Sequence, residues 1–236
     1  MPRGTGAEEE AGARLARRCP APARLPPPRR SAKIAPTHGR RVGRDPLLEE
    51  PSVRTSPAPG PARPPRLLRV RRRPGAAPHL GLLTVAGVTL PCALGRAGLT
   101  RFKREGDGAT PVGRFDLLAG RWRADRALPP GGPLPLEPIR RDDGWCDDPS
   151  DGRYNRPVRL PFHGSHEAMR RDDGLYDVVV VLDANLRRRV IGRGSAIFFH
   201  IARDGFEPTA GCVALRPADM RRVLARLGPR PVMVIG

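Results

Sequence analysis

His200 and Cys212 are the two side chains in this sequence best suited to act together, separated by a segment rich in turn formers. A free thiol titrates near pH ~8.5, so a nucleophilic cysteine at neutral pH needs a base or a cation beside it. Imidazole is the natural helper. The run Ser195-Ala196-Ile197-Phe198-Phe199-His200-Ile201-Ala202 reads as a buried apolar strand holding one imidazole, and Arg203 to Thr209 carries Gly205 and Pro208, which turn the chain. A strand, a return loop and a thiol brought back to the strand end are expected. Gly211 has no Cβ, so the backbone beside Cys212 can take strained angles and approach a substrate closely. The amides of Gly211 and Cys212 could then form an oxyanion hole. On spacing alone, a lone histidine and a lone cysteine are more often a satisfied core imidazole and a small buried hydrophobe.

The elements that must position this pair read as mostly β. Leu82-Leu83-Thr84-Val85 and Val88-Thr89-Leu90 flank Ala86-Gly87 as a hairpin, and Val112 to Leu118 forms a strand after the glycine-rich turn Gly106-Asp107-Gly108. Tyr176 to Leu182 is a buried strand, Asp183-Ala184-Asn185 a turn, and Arg189-Val190-Ile191 leads toward the His200 strand. One helix is well marked: Pro217 suits its first turn, Met220, Val223, Leu224 and Leu227 make its apolar stripe, and Gly228-Pro229 stops it. Pro231 to Ile235 closes the sheet. The stretch Ala124 to Pro161 carries many Pro, Gly and Asp residues and little periodicity, as expected of long loops framing a cleft.

Two further clusters hold chemistry-bearing residues. His163-Gly164-Ser165-His166 with Cys146 or Asp147 can be drawn as a metal site, but no pair of ligands recurs at zinc-site spacing. Ser165 is better read as the cap of a short helix over His166 to Arg171. Cys146 is a rival nucleophile, but its acidic neighbours should raise a thiol pKa and oppose reactivity.

The 236 residues carry a formal charge of +19, which invites a nucleic-acid reading. Lysine is nearly absent, occurring only at Lys33 and Lys103, so arginine spread along the chain supplies the charge. Aromatics make up 4% of residues, too few for base-stacking platforms, and no nucleic-acid-binding motif appears. Residues 1–65 are crowded with proline and arginine and lack apolar periodicity, so they are expected to be disordered. That arm shows neither a signal peptide nor a membrane span; it is either an unstructured extension or a start placed upstream of the genuine one. The four cysteines sit in unlike surroundings, Cys19 in the arm and the others far apart, which does not suggest a disulfide framework. Residues 66–236 have the size of one compact domain.

The segment Ile197 to Leu215, followed by Arg216-Pro217-Ala218-Asp219-Met220-Arg221-Arg222-Val223-Leu224, closely resembles the end of the catalytic domain of the L,D-transpeptidases (YkuD-type). Upstream landmarks agree in the same order: Lys103 to Gly113, Asp143-Gly144-Trp145-Cys146-Asp147-Asp148-Pro149, Tyr154-Asn155-Arg156-Pro157 and Ser165-His166-Glu167. The resemblance covers about residues 66–236 and implies a mainly β, β-sandwich-like domain with one or two short helices. It implies that Cys212 is the nucleophile and His200 the proton acceptor and donor, with Gly211 and Thr209 in oxyanion or orienting roles. His166 and Arg216 become candidate substrate contacts, with Arg203 and Lys103 as other candidate cations. The implied substrate is a peptidoglycan stem tetrapeptide: the thiol expels terminal D-alanine and the thioester passes to an amine of a second stem. Water as acceptor makes the same dyad an L,D-carboxypeptidase, and a basic nucleic-acid-binding protein is the remaining alternative. A silent wall-binding module is disfavoured because both dyad residues are present. No metal or organic cofactor is implied; the expected setting is the periplasm or cell envelope and the expected state a monomer. Many relatives carry a histidine just before the Gly-Cys pair and an arginine two positions after the cysteine, where this chain has Ala210 and Ala214.

Overall fold

The computed structural model describes residues 64–236, so the arm expected over residues 1–65, Cys19 included, lies outside the described residues except for its last two positions. The strands, in chain order, begin with β1 (Leu67–Arg72), β2 (Leu80–Val85), β3 (Val88–Ala93), β4 (Leu99–Thr100) and β5 (Thr110–Pro111). They continue with β6 (Gly113–Trp122), β7 (Leu136–Pro138), β8 (Asp143–Cys146), β9 (Arg156–Arg159) and β10 (His166–Ala168). Four more complete the set: β11 (Val178–Leu182), β12 (Phe198–Ile201), β13 (Val213–Leu215) and β14 (Val232–Ile235). The one α-helix among the described residues is α1 (Pro217–Arg226), and a 3-10 turn spans Asp204–Phe206.

The principal sheet runs in a ring. β6 is the seam: its residues Gly113 to Asp116 pair with β14, and Leu117 to Trp122 pair with β11 across a register shift. From β11 the pairings pass through β12, β13, β3, β2 and β1 back to β14, and β7 adds to the far end of β6. Such closure leaves few unpaired edges. The chain is therefore mainly β, as its alternation implies, and its sheet is barrel-like. The β2–β3 hairpin turns at Ala86 and Gly87, both at positive φ (48° and 78°), the backbone that matches strand twist in a two-residue turn. Leu68, Leu83, Phe199, Val213, Leu215 and Met233 fill the ring, and Met220, Val223, Leu224 and Leu227 of the helix side bury against them.

Two expectations need correction. The stretch Ala124 to Pro161 is not only loop: β7, β8 and β9 lie within it, and β8 pairs with β9 and β10 in a separate three-stranded sheet. The helix expected over His166 to Arg171 is absent, because His166 to Ala168 instead pair antiparallel with Gly144 to Cys146. Ser165 caps nothing there; its carbonyl accepts the Asp147 N–H and its own N–H meets the Asp148 carboxylate.

Candidate active site

The alternation of β12 decides which side chains can meet. Phe199 and Ile201 point into the ring, while Phe198 and His200 lie on its other face. β13 runs parallel beside it, with Phe199 opposite Val213 and His200 opposite Ala214, and Val213 and Leu215 also face inward. Cys212, one step before β13, consequently joins Phe198 in the outer cluster with Trp145, Met169 and Tyr176. The Phe198 N–H donates to Cys212 Sγ at 3.3 Å. The strand expected over Ser195 to Ala202 is only Phe198–Ile201, since Ala196 sits at φ 50° and breaks the ladder before it.

Cys212 and His200 are 7% and 5% exposed and line one cavity of about 190 Å³ with Glu167, Arg171, Tyr176 and Arg203. His200 Nδ1 lies 2.8 Å from the Ile201 carbonyl oxygen. A carbonyl only accepts, so Nδ1 carries the proton and Nε2 is left as the basic nitrogen. The Tyr176 ring meets the imidazole edge to face at 5.3 Å between centroids. The thiol donates to the Ala196 carbonyl oxygen at 3.3 Å rather than to the imidazole. Burial pushes the Cys212 thiol up to about 12, with Glu167 adding to the rise and the Phe198 amide and Lys103 opposing it. Burial likewise brings His200 down to about 4; Arg171 and Arg203 push the same way, against the Ile201 carbonyl and Asp173. The resting pair is thus thiol and neutral imidazole, not an ion pair.

The return loop is tied down from both sides. The Thr209 hydroxyl accepts the Gly211 N–H at 3.1 Å and donates to the Cys212 carbonyl at 2.8 Å, and Thr110 also reaches that carbonyl at 3.4 Å. The Thr209 backbone is bonded in turn to Leu94 and Arg96. Gly211 stands at φ 145°, and a Cβ there would come 2.9 Å from the Ala109 carbonyl oxygen.

Asn155 supports the other wall. It is 1% exposed and fully used: its Oδ1 accepts from Trp145 Nε1 and the Ala196 N–H, both at 3.1 Å, and its Nδ2 donates to the Ala184 and Asn185 carbonyls. Its neighbour Tyr154 bonds the Glu105 carboxylate, which also accepts from Ser195 at 2.8 Å. The Tyr154-Asn155 landmark is therefore the clamp that holds Ala196, whose carbonyl accepts the hydrogen bond from the Cys212 thiol.

The structure gathers Cys212, His200, Thr209 and Arg203 around one cavity, with Lys103 and Gly211 on an adjoining one that Cys212 shares. His166 and Arg216 line neither cavity. His166 bonds the Gly164 carbonyl and packs on Phe162, and Arg216 is exposed and stacks on Phe206. On β10 it is Glu167, the next residue, that lines both cavities at the thiol. Sequence reasoning gave Glu167, Tyr176, Arg171 and Asn155 no part in the site; β10, at three residues, is too short for its alternation to signal Glu167. The Cys146 thiol is raised by burial and by Asp151, Asp148 and Asp147, in line with the expectation that it is unreactive. Cys92, Cys146 and Cys212 are free thiols, and no helix among the described residues is long and apolar enough to cross a membrane.

The family model of the L,D-transpeptidase catalytic domain (YkuD) matches residues 84–235. No curated protein and no solved structure matches the chain. The match runs from the last residues of β2 to β14, leaving β1 outside it, includes Cys212 and His200, and covers well over half of the sequence: the chain belongs to the L,D-transpeptidase (YkuD) family.

Proposed function

We propose that residues 66–236 form a peptidoglycan L,D-transpeptidase in which Cys212 is the nucleophile and His200 Nε2 shuttles the proton. The observation that carries this reading is that the imidazole on β12 and the thiol just before the parallel β13 line one cavity, with Nδ1 held by the Ile201 carbonyl. The β-sandwich-like layering expected of the domain is part of the same reading. Because the resting pair is neutral, the proton leaves Sγ for Nε2 as the S–C bond forms. The tetrahedral oxyanion meets the Cys212 N–H, with Gly211 N–H joining only if it leaves the Thr209 hydroxyl. The imidazolium then protonates the amine of the departing D-alanine as the C–N bond breaks, leaving a thioester. An amine of a second stem attacks that thioester, gives its proton to Nε2 and restores the thiol. Arg171 and Arg203 are the cations placed to meet a stem carboxylate. Peptidoglycan lies outside the cytoplasm, so the enzyme works in the periplasm or cell envelope.

The test is incubation of the protein with a disaccharide tetrapeptide, followed by mass spectrometry of protein and products. An acyl adduct absent from Cys212→Ala, with crosslinked dimers, is the expected outcome. Tripeptide without dimers would make the enzyme a carboxypeptidase, and no adduct with any stem peptide would end the reading.

A further inference from the structure

We infer that the neighbouring loops 100–105 and 187–194 form a docking surface for an anionic lipid bilayer. The first carries Arg101-Phe102-Lys103-Arg104 and the second Arg187-Arg188-Arg189-Val190-Ile191-Gly192-Arg193. They stand side by side: the Glu105 N–H donates to the Gly192 carbonyl at 2.9 Å, and Arg101, Arg188, Val190 and Arg193 line one pocket of about 460 Å³.

Two properties coincide on these loops. Six large apolar side chains are exposed among the described residues, and three of them, Phe102 at 77%, Ile191 at 55% and Val190 at 49%, belong here. Exposed apolar side chains gathered in one place mark a contact surface, where single ones would not. Cations gather here too. Lys103 is paired with Asp107 and Arg187 with Asp116 and Asp183, but Arg101, Arg104, Arg188, Arg189 and Arg193 meet no carboxylate among the described residues. Guanidinium groups without carboxylates suit a phosphate-bearing partner. The apolar neighbours decide which one. A soluble polyanion would leave Phe102 and Ile191 in water, whereas a bilayer takes such side chains into its headgroup region while its phosphates meet the arginines. The second loop is held in shape as well: Asn185 Nδ2 donates to the Val190 and Gly194 carbonyls at 2.8 and 2.9 Å, and its Oδ1 accepts the Val190 N–H at 2.8 Å. Docking therefore has little chain left to order. Lys103 and Ile197 line both the pocket between the loops and the smaller cavity at Cys212, so the surface adjoins one approach to the thiol.

The test is cosedimentation of the full chain with vesicles of equimolar phosphatidylglycerol and phosphatidylcholine, and with phosphatidylcholine alone. The wild type should bind the anionic vesicles only, and less tightly as salt rises. Because the whole chain is basic, variants are compared at equal charge: Arg188→Gln with Arg193→Gln against Arg222→Gln with Arg226→Gln, an exposed pair on α1. At about fivefold for each basic side chain at the membrane surface, the loop pair should weaken binding about 25-fold and the α1 pair less than about threefold. Phe102→Ser with Ile191→Ser keeps every charge and should weaken binding about tenfold or more. All six side chains are exposed, so the melting temperature should stay in place. Binding is read without turnover, so the result stands apart from the acyl-transfer reading. No binding to the anionic vesicles, or an equal loss from the two arginine pairs, would overturn the surface. Unchanged affinity in the Phe102 and Ile191 double variant would overturn the lipid assignment in favour of a soluble polyanion.

Discussion

A neutral resting pair makes a quantitative demand on the reactivity of Cys212. With the thiol at about 12, the thiolate fraction at pH 7 is ~10⁻⁵, against ~3 × 10⁻² for an ordinary thiol titrating near 8.5. The native thiol should therefore be alkylated by iodoacetamide roughly three thousand times more slowly than the same cysteine in the unfolded chain, before any steric effect. The rate, followed by mass spectrometry of the Cys212 peptide, should climb tenfold per pH unit from pH ~6 to ~10 without levelling. His200→Ala should change it little at pH 7, because there is no thiolate–imidazolium pair to lose. A plateau with a midpoint below pH 8, abolished in His200→Ala, would refute the argument. It would mean that the ion pair is already formed and that proton transfer precedes attack.

Three other perturbations bear on the same architecture. His200 falls from 6.5 when unfolded to about 4 when buried. Its neutral form therefore contributes stability that is complete above pH 6.5 and is lost as the pH drops toward 4. That loss amounts to about 3 kcal/mol at 1.36 kcal/mol per pH unit. Urea midpoints at pH 7 and 4.5 should show most of this loss, about 2 kcal/mol, in the wild type and not in His200→Gln; an equal loss in both would sink the claim. Asn155→Ala strands two buried and two part-buried polar groups at about 1–3 kcal/mol each, not additively, so a net loss of about 3 kcal/mol and a melting point lower by about 6–12 °C are expected. A thermal melt within 2 °C of wild type would contradict the clamp. Gly211→Ala forces a side chain toward the Ala109 carbonyl at a φ that L residues avoid, and turnover should fall more than about tenfold while the fold is retained.

Much of this site was legible because one strand alternates. The run ending in Phe198-Phe199-His200-Ile201 puts imidazole and core phenylalanine on opposite faces, and Gly205 and Pro208 mark the loop that returns the thiol. What escaped the sequence is non-local. Ala196 takes φ 50° and its amide is held by Asn155, 41 positions away, so the strand begins later than its apolar run. Three-residue strands such as β10 fall below any periodicity window, and their pairing with β8 outweighed a plausible cap-and-helix pattern. His166, a candidate through the resemblance, sits one residue before Glu167, which lines both cavities at the thiol. The group orienting His200 is a backbone carbonyl, which no residue type can announce.

The departures at Ala210 and Ala214 acquire a physical meaning once the strands are in register. Ala214 lies opposite His200, fully buried against Ala93 and Phe206, and leaves no room there for an arginine side chain. Positive charge reaches the cavity from the other wall instead, through Arg171 and Arg203, which share the Asp173 carboxylate. Both arginines push the His200 pKa down, so they help hold the imidazole neutral before substrate arrives. A stem carboxylate docking on them would cancel that effect and raise the basicity of Nε2 when a proton must be taken. Nuclear magnetic resonance titration of His200 in Cys212→Ala isolates this contribution: a bound peptide with a free terminal carboxylate should give a higher imidazole pKa than the same peptide ending in an amide. The two peptides bury the ring alike, so only the charge differs. Identical titrations would show that Arg171 and Arg203 do not receive the carboxylate, and that recognition in this branch of the family lies elsewhere along the groove.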